Sequence, residues 1–151
     1  MLRRLPLILL CLLAFSGKAG GAESPLARFN SVAIAPTKTS IYIGSVALTM
    51  PAFVRTGGVY ESTYAAKVFP YFFSSETGRL AITLPDESLL KLERGEPVEF
   101  TGRAINSDRE DHRIEGKATP VDAAHGKIKV RVFVSPRIEL IFNTTYRFLE
   151  K

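Results

Sequence analysis

Val98-Glu99-Phe100-Thr101-Gly102-Arg103-Ala104 places apolar or small residues at even positions and polar or charged ones at odd positions. A strand sends successive side chains to opposite faces, so this is the pattern of a half-buried strand and not of a helix. The alternation returns over 113–119, 127–134 and 138–148, again with the even positions mainly apolar or small. The breaks between these segments are polar or carry Gly or Pro, and none has the length of a crossover helix. Short polar connections join antiparallel neighbours, so residues 98–148 read as a four-strand antiparallel meander.

Upstream, 31–35 suits a short strand, and 40–50, Ser-Ile-Tyr-Ile-Gly-Ser-Val-Ala-Leu-Thr-Met, suits a longer one. Pro51 marks its end or a bulge, because proline gives no N–H to a ladder. Thr56-Gly57-Gly58 is a turn, 59–69 is the returning strand of a long hairpin, and 79–84 is a further short strand. One helix is expected. Asp86 stands as its N-cap, Leu89, Leu90 and Leu92 form its apolar side, and Gly95 ends it. The fold class that follows is all-β with one short helix: an antiparallel β-sandwich or partly open β-barrel of about seven strands.

Gly102 and Gly116 share the inward face with Ala104 and Ala118. Read as a hairpin, the two strands put Gly102 opposite Gly116 and Arg103 opposite Glu115, leaving a shallow trough. Internal packing by the helix leucines is the expected filler. The alternative is an apolar groove floored by Gly102 and Gly116 and walled by Phe69, Tyr71, Phe72 and Phe73.

The chain has 151 residues and a net charge of +5. Met1-Leu2-Arg3-Arg4, the eleven-residue apolar run Leu5 to Phe15 and the small residues up to Ala22 form the pattern of a cleaved signal peptide, 1–22. A membrane helix needs about 20 apolar residues, so this run is too short to anchor the chain. The expected product is one domain, 23–151, exported to a periplasmic or extracellular setting. Cys11 is the only cysteine, so no disulfide can form within the chain. Without Arg3, Arg4 and Lys18 the charge falls to +2, too balanced for a dedicated nucleic-acid binder.

Two separated histidines give no zinc-ligand cluster, and His112 and His125 both read as residues of solvated turns. No Gly-x-Ser-x-Gly elbow, phosphate loop or dinucleotide fingerprint is present. Neither a catalytic or metal site nor a cofactor is therefore expected. The suggestive surface is cationic: Arg103, Arg113, Lys117, Lys127, Lys129 and Arg131 fall on outward positions of three adjacent strands. Such a face suits an anionic partner on a protein, glycan or lipid headgroup, or simply a soluble sheet. The functional expectation is an exported, soluble, non-enzymatic binding or accessory module. Two alternatives are a small outer-membrane β-barrel, suggested by the aromatic-rich final strand, and a carboxylate enzyme with an aromatic-walled cleft.

Overall fold

A computed structural model describes residues 26–150; the signal segment and Cys11 lie outside them. Ten strands are formed among the described residues: β1 Ser31–Ile34, β2 Thr37–Ile41, β3 Gly44–Thr49, β4 Phe53–Thr56, β5 Val59–Phe69, β6 Glu76–Thr83, β7 Val98–Asn106, β8 Asp111–Pro120, β9 His125–Ser135 and β10 Ile138–Phe148. Helix α1, Asp86–Glu93, joins β6 to β7. All the strands belong to one antiparallel sheet, which closes because β5 pairs with both β4 and β6 while β1 pairs with both β4 and β10. The result is a barrel and not a sandwich.

It has eight staves, because two of them are interrupted. β2 with β3 (Thr37 opposite Leu48) and β1 with β4 (Ser31 opposite Val54) keep one register and form a single long hairpin, broken in the middle where Pro36 and Pro51 cannot donate to the ladder. The sequence reading of 40–50 as one strand is corrected here: Tyr42 and Ile43 are a two-residue turn. They carry none of the usual turn residues, and only Gly44, at φ +116°, supplies the backbone freedom the reversal needs.

The even positions of β7–β10 do face inward. Phe100, Ala104, Ile114, Ala118, Ile128, Phe142 and Tyr146 are all buried. The pairing of β7 with β8 differs by two residues from the expected one, so Gly102 faces Ile114, Gly116 faces Phe100, Arg103 faces Arg113 and Glu115 faces Thr101. A two-residue shift keeps the faces and changes every partner. Each glycine therefore makes room for its own neighbour. A Cβ on Gly116 would lie 2.1 Å from Cζ of Phe100, and one on Gly102 would lie 2.6 Å from Cδ1 of Ile82. The expected filler, the helix, sits elsewhere.

α1, between the end of β6 and the start of β7, and the short 3-10 turn Ala27–Phe29, just before β1, lie together at one end of the barrel. Leu89, Leu92 and Phe29 are buried there, Arg28 pairs with Glu93 at 2.8 Å, and the Tyr60 hydroxyl donates to the Phe29 carbonyl. Burying one leucine is worth about 2 kcal/mol, enough to hold so short a helix in place. Asp86 is the first helical residue and not the N-cap; its carboxylate instead accepts from Arg55 at 2.6 Å, while Pro85 holds the cap position. At the other end Gly95 (φ +81°) ends the helix as expected: its own N–H reaches Leu92 O at 3.0 Å, and the Glu96 N–H reaches Lys91 O at 2.9 Å.

Replacing Gly116 by Ala should lower stability by about 1–3 kcal/mol through overpacking. Phe100→Leu, introduced into that variant, should recover part of the loss, because it removes the ring that the new methyl strikes. Urea unfolding of the two single variants and the double variant checks both; strict additivity would mean that the ring is not what the glycine accommodates.

Candidate functional site

Inside the barrel lies a cavity of about 140 Å³. Eight staves leave an interior just wide enough for side chains to fill or for one small ligand. Here Ala66, Ala104 and Ala118 sit at inward positions among larger residues such as Ile114, Ile128 and Phe142 and leave the space open. The wall is almost wholly apolar.

Its polar groups are few and placed towards the ends. At the end away from α1, the Tyr64 hydroxyl donates to Glu76 Oε1 at 2.8 Å. Asn106 Nδ2 donates to Glu76 Oε2 and to Glu110 Oε2, both at 3.1 Å. Asn106 Oδ1 accepts the N–H groups of Asp108 and Glu110, so this one amide also fastens the turn between β7 and β8. Burial, and then the adjoining Glu76 carboxylate, push the Tyr64 hydroxyl pKa well above its ordinary value. His112 lines the cavity beside them. Its side chain is 7 % exposed, and its Nε2 lies 3.7 Å from Glu76 Oε1, beyond hydrogen-bond reach, with no other protein partner.

At the end nearer α1, the Tyr146 hydroxyl is also buried without a protein partner, beside Gly126. Burial, with a smaller contribution from the Asp122 charge, raises its pKa from 10.0 to about 12. An unpartnered buried polar group costs about 1–3 kcal/mol. Two such groups near opposite ends of an apolar cavity are the features most suited to holding a ligand by its polar atoms.

Placing His112 in a solvated turn is corrected by this arrangement: β8 starts at Asp111, and residue 112 shares the inward parity of Ile114. Asn106 and Glu76 escaped notice for the same reason, since β7 and β6 run further than their apolar residues indicate. Strand parity, extended by one residue for Asn106 and His112 and by three for Glu76, is the signal that would have found all three. His125, also expected in a turn, is instead the first residue of β9, half-buried opposite Arg147, with Nδ1 2.7 Å from Asp122 Oδ2 in the preceding turn.

The expected apolar groove does not assemble. Gly102 and Gly116 are covered by Ile82 and Phe100, while Phe69, Tyr71, Phe72 and Phe73 stand exposed at the barrel end away from α1. The six cationic residues do share the outer surface of β7–β9. Arg103 pairs with Asp111 (3.4 Å), Arg113 with Glu115 (3.6 Å) and Arg131 with Glu139 (3.4 Å), and Arg113 also covers the Phe133 ring. Lys117, Lys127 and Lys129 form no ion pair among the described residues, and Lys117 stands directly across from Lys129. Glu76 is the one carboxylate residue lining the cavity, and no group of three potential metal-ligating side chains occurs among the described residues.

No protein-family model, no curated protein and no solved structure matches the chain. The site must therefore be read from its own chemistry.

Because the Tyr146 pKa is raised in the folded state, the stability this group contributes is complete below about pH 10 and is lost as the pH climbs towards about 12. Tyr146→Phe should leave stability at neutral pH equal or higher, since it removes an unpartnered hydroxyl, and should flatten the alkaline decline. Thermal melts over that range check both parts.

Proposed function

We propose that the chain is an exported, non-enzymatic binding protein that carries a small, largely apolar molecule inside its barrel. The observation that carries this reading is the apolar cavity with unpartnered polar atoms, His112 Nε2 and Tyr146 Oη, near its two ends. A void of about 150 Å³ lined by Leu, Ile and Phe is enough to bind benzene, so this one suits a single substituted ring or a short branched aliphatic body. Its polar end should be neutral. The Glu76 carboxylate beside His112 disfavours an anion, and in either tautomer Nε2 can make one hydrogen bond to a hydroxyl or carbonyl.

The two other expectations find less support. A membrane-embedded barrel turns apolar residues outward, whereas β9 presents Lys127, Lys129 and Arg131 there; each such residue costs about 2–4 kcal/mol at the bilayer midplane. Two-carboxylate catalysis needs a second acid facing the first across a substrate, and Glu76 stands as the sole acid lining the cavity.

Benzyl alcohol and toluene provide the test. At about a hundredfold excess over its dissociation constant either should stabilise the protein by about 2.7 kcal/mol, read as a rise in Tm. Ala104→Leu, which fills the cavity, should abolish both shifts. His112→Leu should weaken benzyl alcohol by about tenfold and spare toluene, since one neutral hydrogen bond is lost. If neither compound raises the Tm of the unaltered protein, the reading fails.

A further inference from the structure

The barrel end away from α1 carries an apolar crown that the cavity does not use. Tyr42 and Ile43 form the tip of the β2–β3 hairpin, Phe69 ends β5, and Tyr71, Phe72 and Phe73 lie in the connection from it to β6. Tyr42 is fully exposed and Phe73 is 87 % exposed. A patch of this kind marks a surface that meets another apolar phase.

The crown is preassembled. The Phe69 and Phe72 rings meet edge to face at 5.7 Å, as do Tyr71 and Phe73 at 5.8 Å. The two turns are also locked together: Ser45 pairs with Phe69, and a Cβ on Gly44 would fall 1.9 Å from the Phe69 carbonyl oxygen. The apolar groups therefore stand on two adjoining convex tips. That shape inserts into a surface and does not enclose a peptide.

One row behind the crown is basic. Lys38 and Lys67 both face outward, flanking Ala47 on β3, and Lys67 is two residues, or about 7 Å, from Phe69 along β5. Neither lysine forms an ion pair among the described residues, and the outward acid on these three strands, Glu61, lies six residues, or about 20 Å, from Lys67 along β5, towards the α1 end. Aromatic side chains at the level of the lipid headgroups, with cationic side chains just behind them, are the arrangement of a protein resting on an anionic bilayer.

We propose that this end of the barrel docks on anionic membrane surfaces, with Phe72 and Phe73 inserted among the lipids and Lys38 and Lys67 against their phosphates. Docked so, the His112 end of the cavity faces the bilayer and the α1 end faces away.

The protein starting at Glu23, which contains every residue of the barrel, is sedimented with two kinds of vesicle: pure phosphatidylcholine, and an equimolar mixture of phosphatidylcholine and phosphatidylglycerol. It should bind the mixed vesicles more strongly, and added salt should reduce binding. Phe72→Ser with Phe73→Ser should weaken binding by about tenfold for each ring removed. Lys38→Glu with Lys67→Glu should weaken it by at least about fivefold per lysine, on the mixed vesicles alone. All four side chains are exposed, so unchanged thermal melts should confirm intact folding. Toluene-induced stabilisation should survive in both double variants, which separates failure of docking from failure of the cavity reading. Three results would each overturn the proposal: no binding to either vesicle, binding unchanged by the phenylalanine substitutions, or a dimer that those substitutions dissociate in a protein that ignores vesicles.

Discussion

Closure of the sheet is the constraint on which everything else in this protein depends. The ladder from β1 to β10, with Val32 opposite Phe148 and Ile34 opposite Tyr146, joins the first strand to the last. Once it forms, β1 and β3 to β10 each have a neighbour on both sides, and only β2, which pairs with β3 alone, keeps an unladdered edge, facing β10. Among the described residues, sixteen buried ones make one continuous core, from Phe29 and Val32 to Tyr146. With no disulfide to help, this core and its ladders carry the stability of the fold.

The same closure creates the cavity. A flat sheet can be covered by any helix of suitable shape, but a ring of eight staves has a fixed bore that only inward side chains can fill. α1, Phe29 and the Arg55–Asp86 contact occupy one end of that bore. Near the other end stand Tyr64, Glu76, Asn106 and His112, held by the middle of β5, the end of β7 and the starts of β6 and β8. The two ends thus differ in chemistry as well as in shape. One is sealed by leucine and phenylalanine, and the other mixes a buried hydrogen-bond network with an exposed aromatic surface.

Much of the architecture was legible in the amino-acid order, for a definite reason. From Val98 onward the inward side is fixed by alternation alone, so burial of Phe100, Ile114, Ile128, Phe142 and Tyr146 could be read directly. The choice between sandwich and barrel could not, because it depends on which distant strands meet: nothing local to Val32 names Phe148 as its partner. The two-residue error between β7 and β8 has a similar origin, since alternation fixes the face but leaves the pairing open in steps of two. The hairpin at Tyr42-Ile43 was hidden because apolar residues occupy a turn where polar ones are the rule. The site was the least legible part. His112, Asn106 and Glu76 are polar residues near strand ends, where composition suggests solvent and only the completed geometry shows burial or cavity contact.

The register of the sheet has one more consequence. From β5 to β10 every ladder matches even-numbered residues with even-numbered ones, apart from the single irregularity at Ile138. This half of the chain therefore behaves like a message read two letters at a time. Adding or deleting one residue within β8 would send its charged residues into the bore and its isoleucine outward up to the next reversal, while a change of two would keep each on its proper side. Tolerance of length variation in this wall should follow divisibility by two, whatever amino acids are inserted.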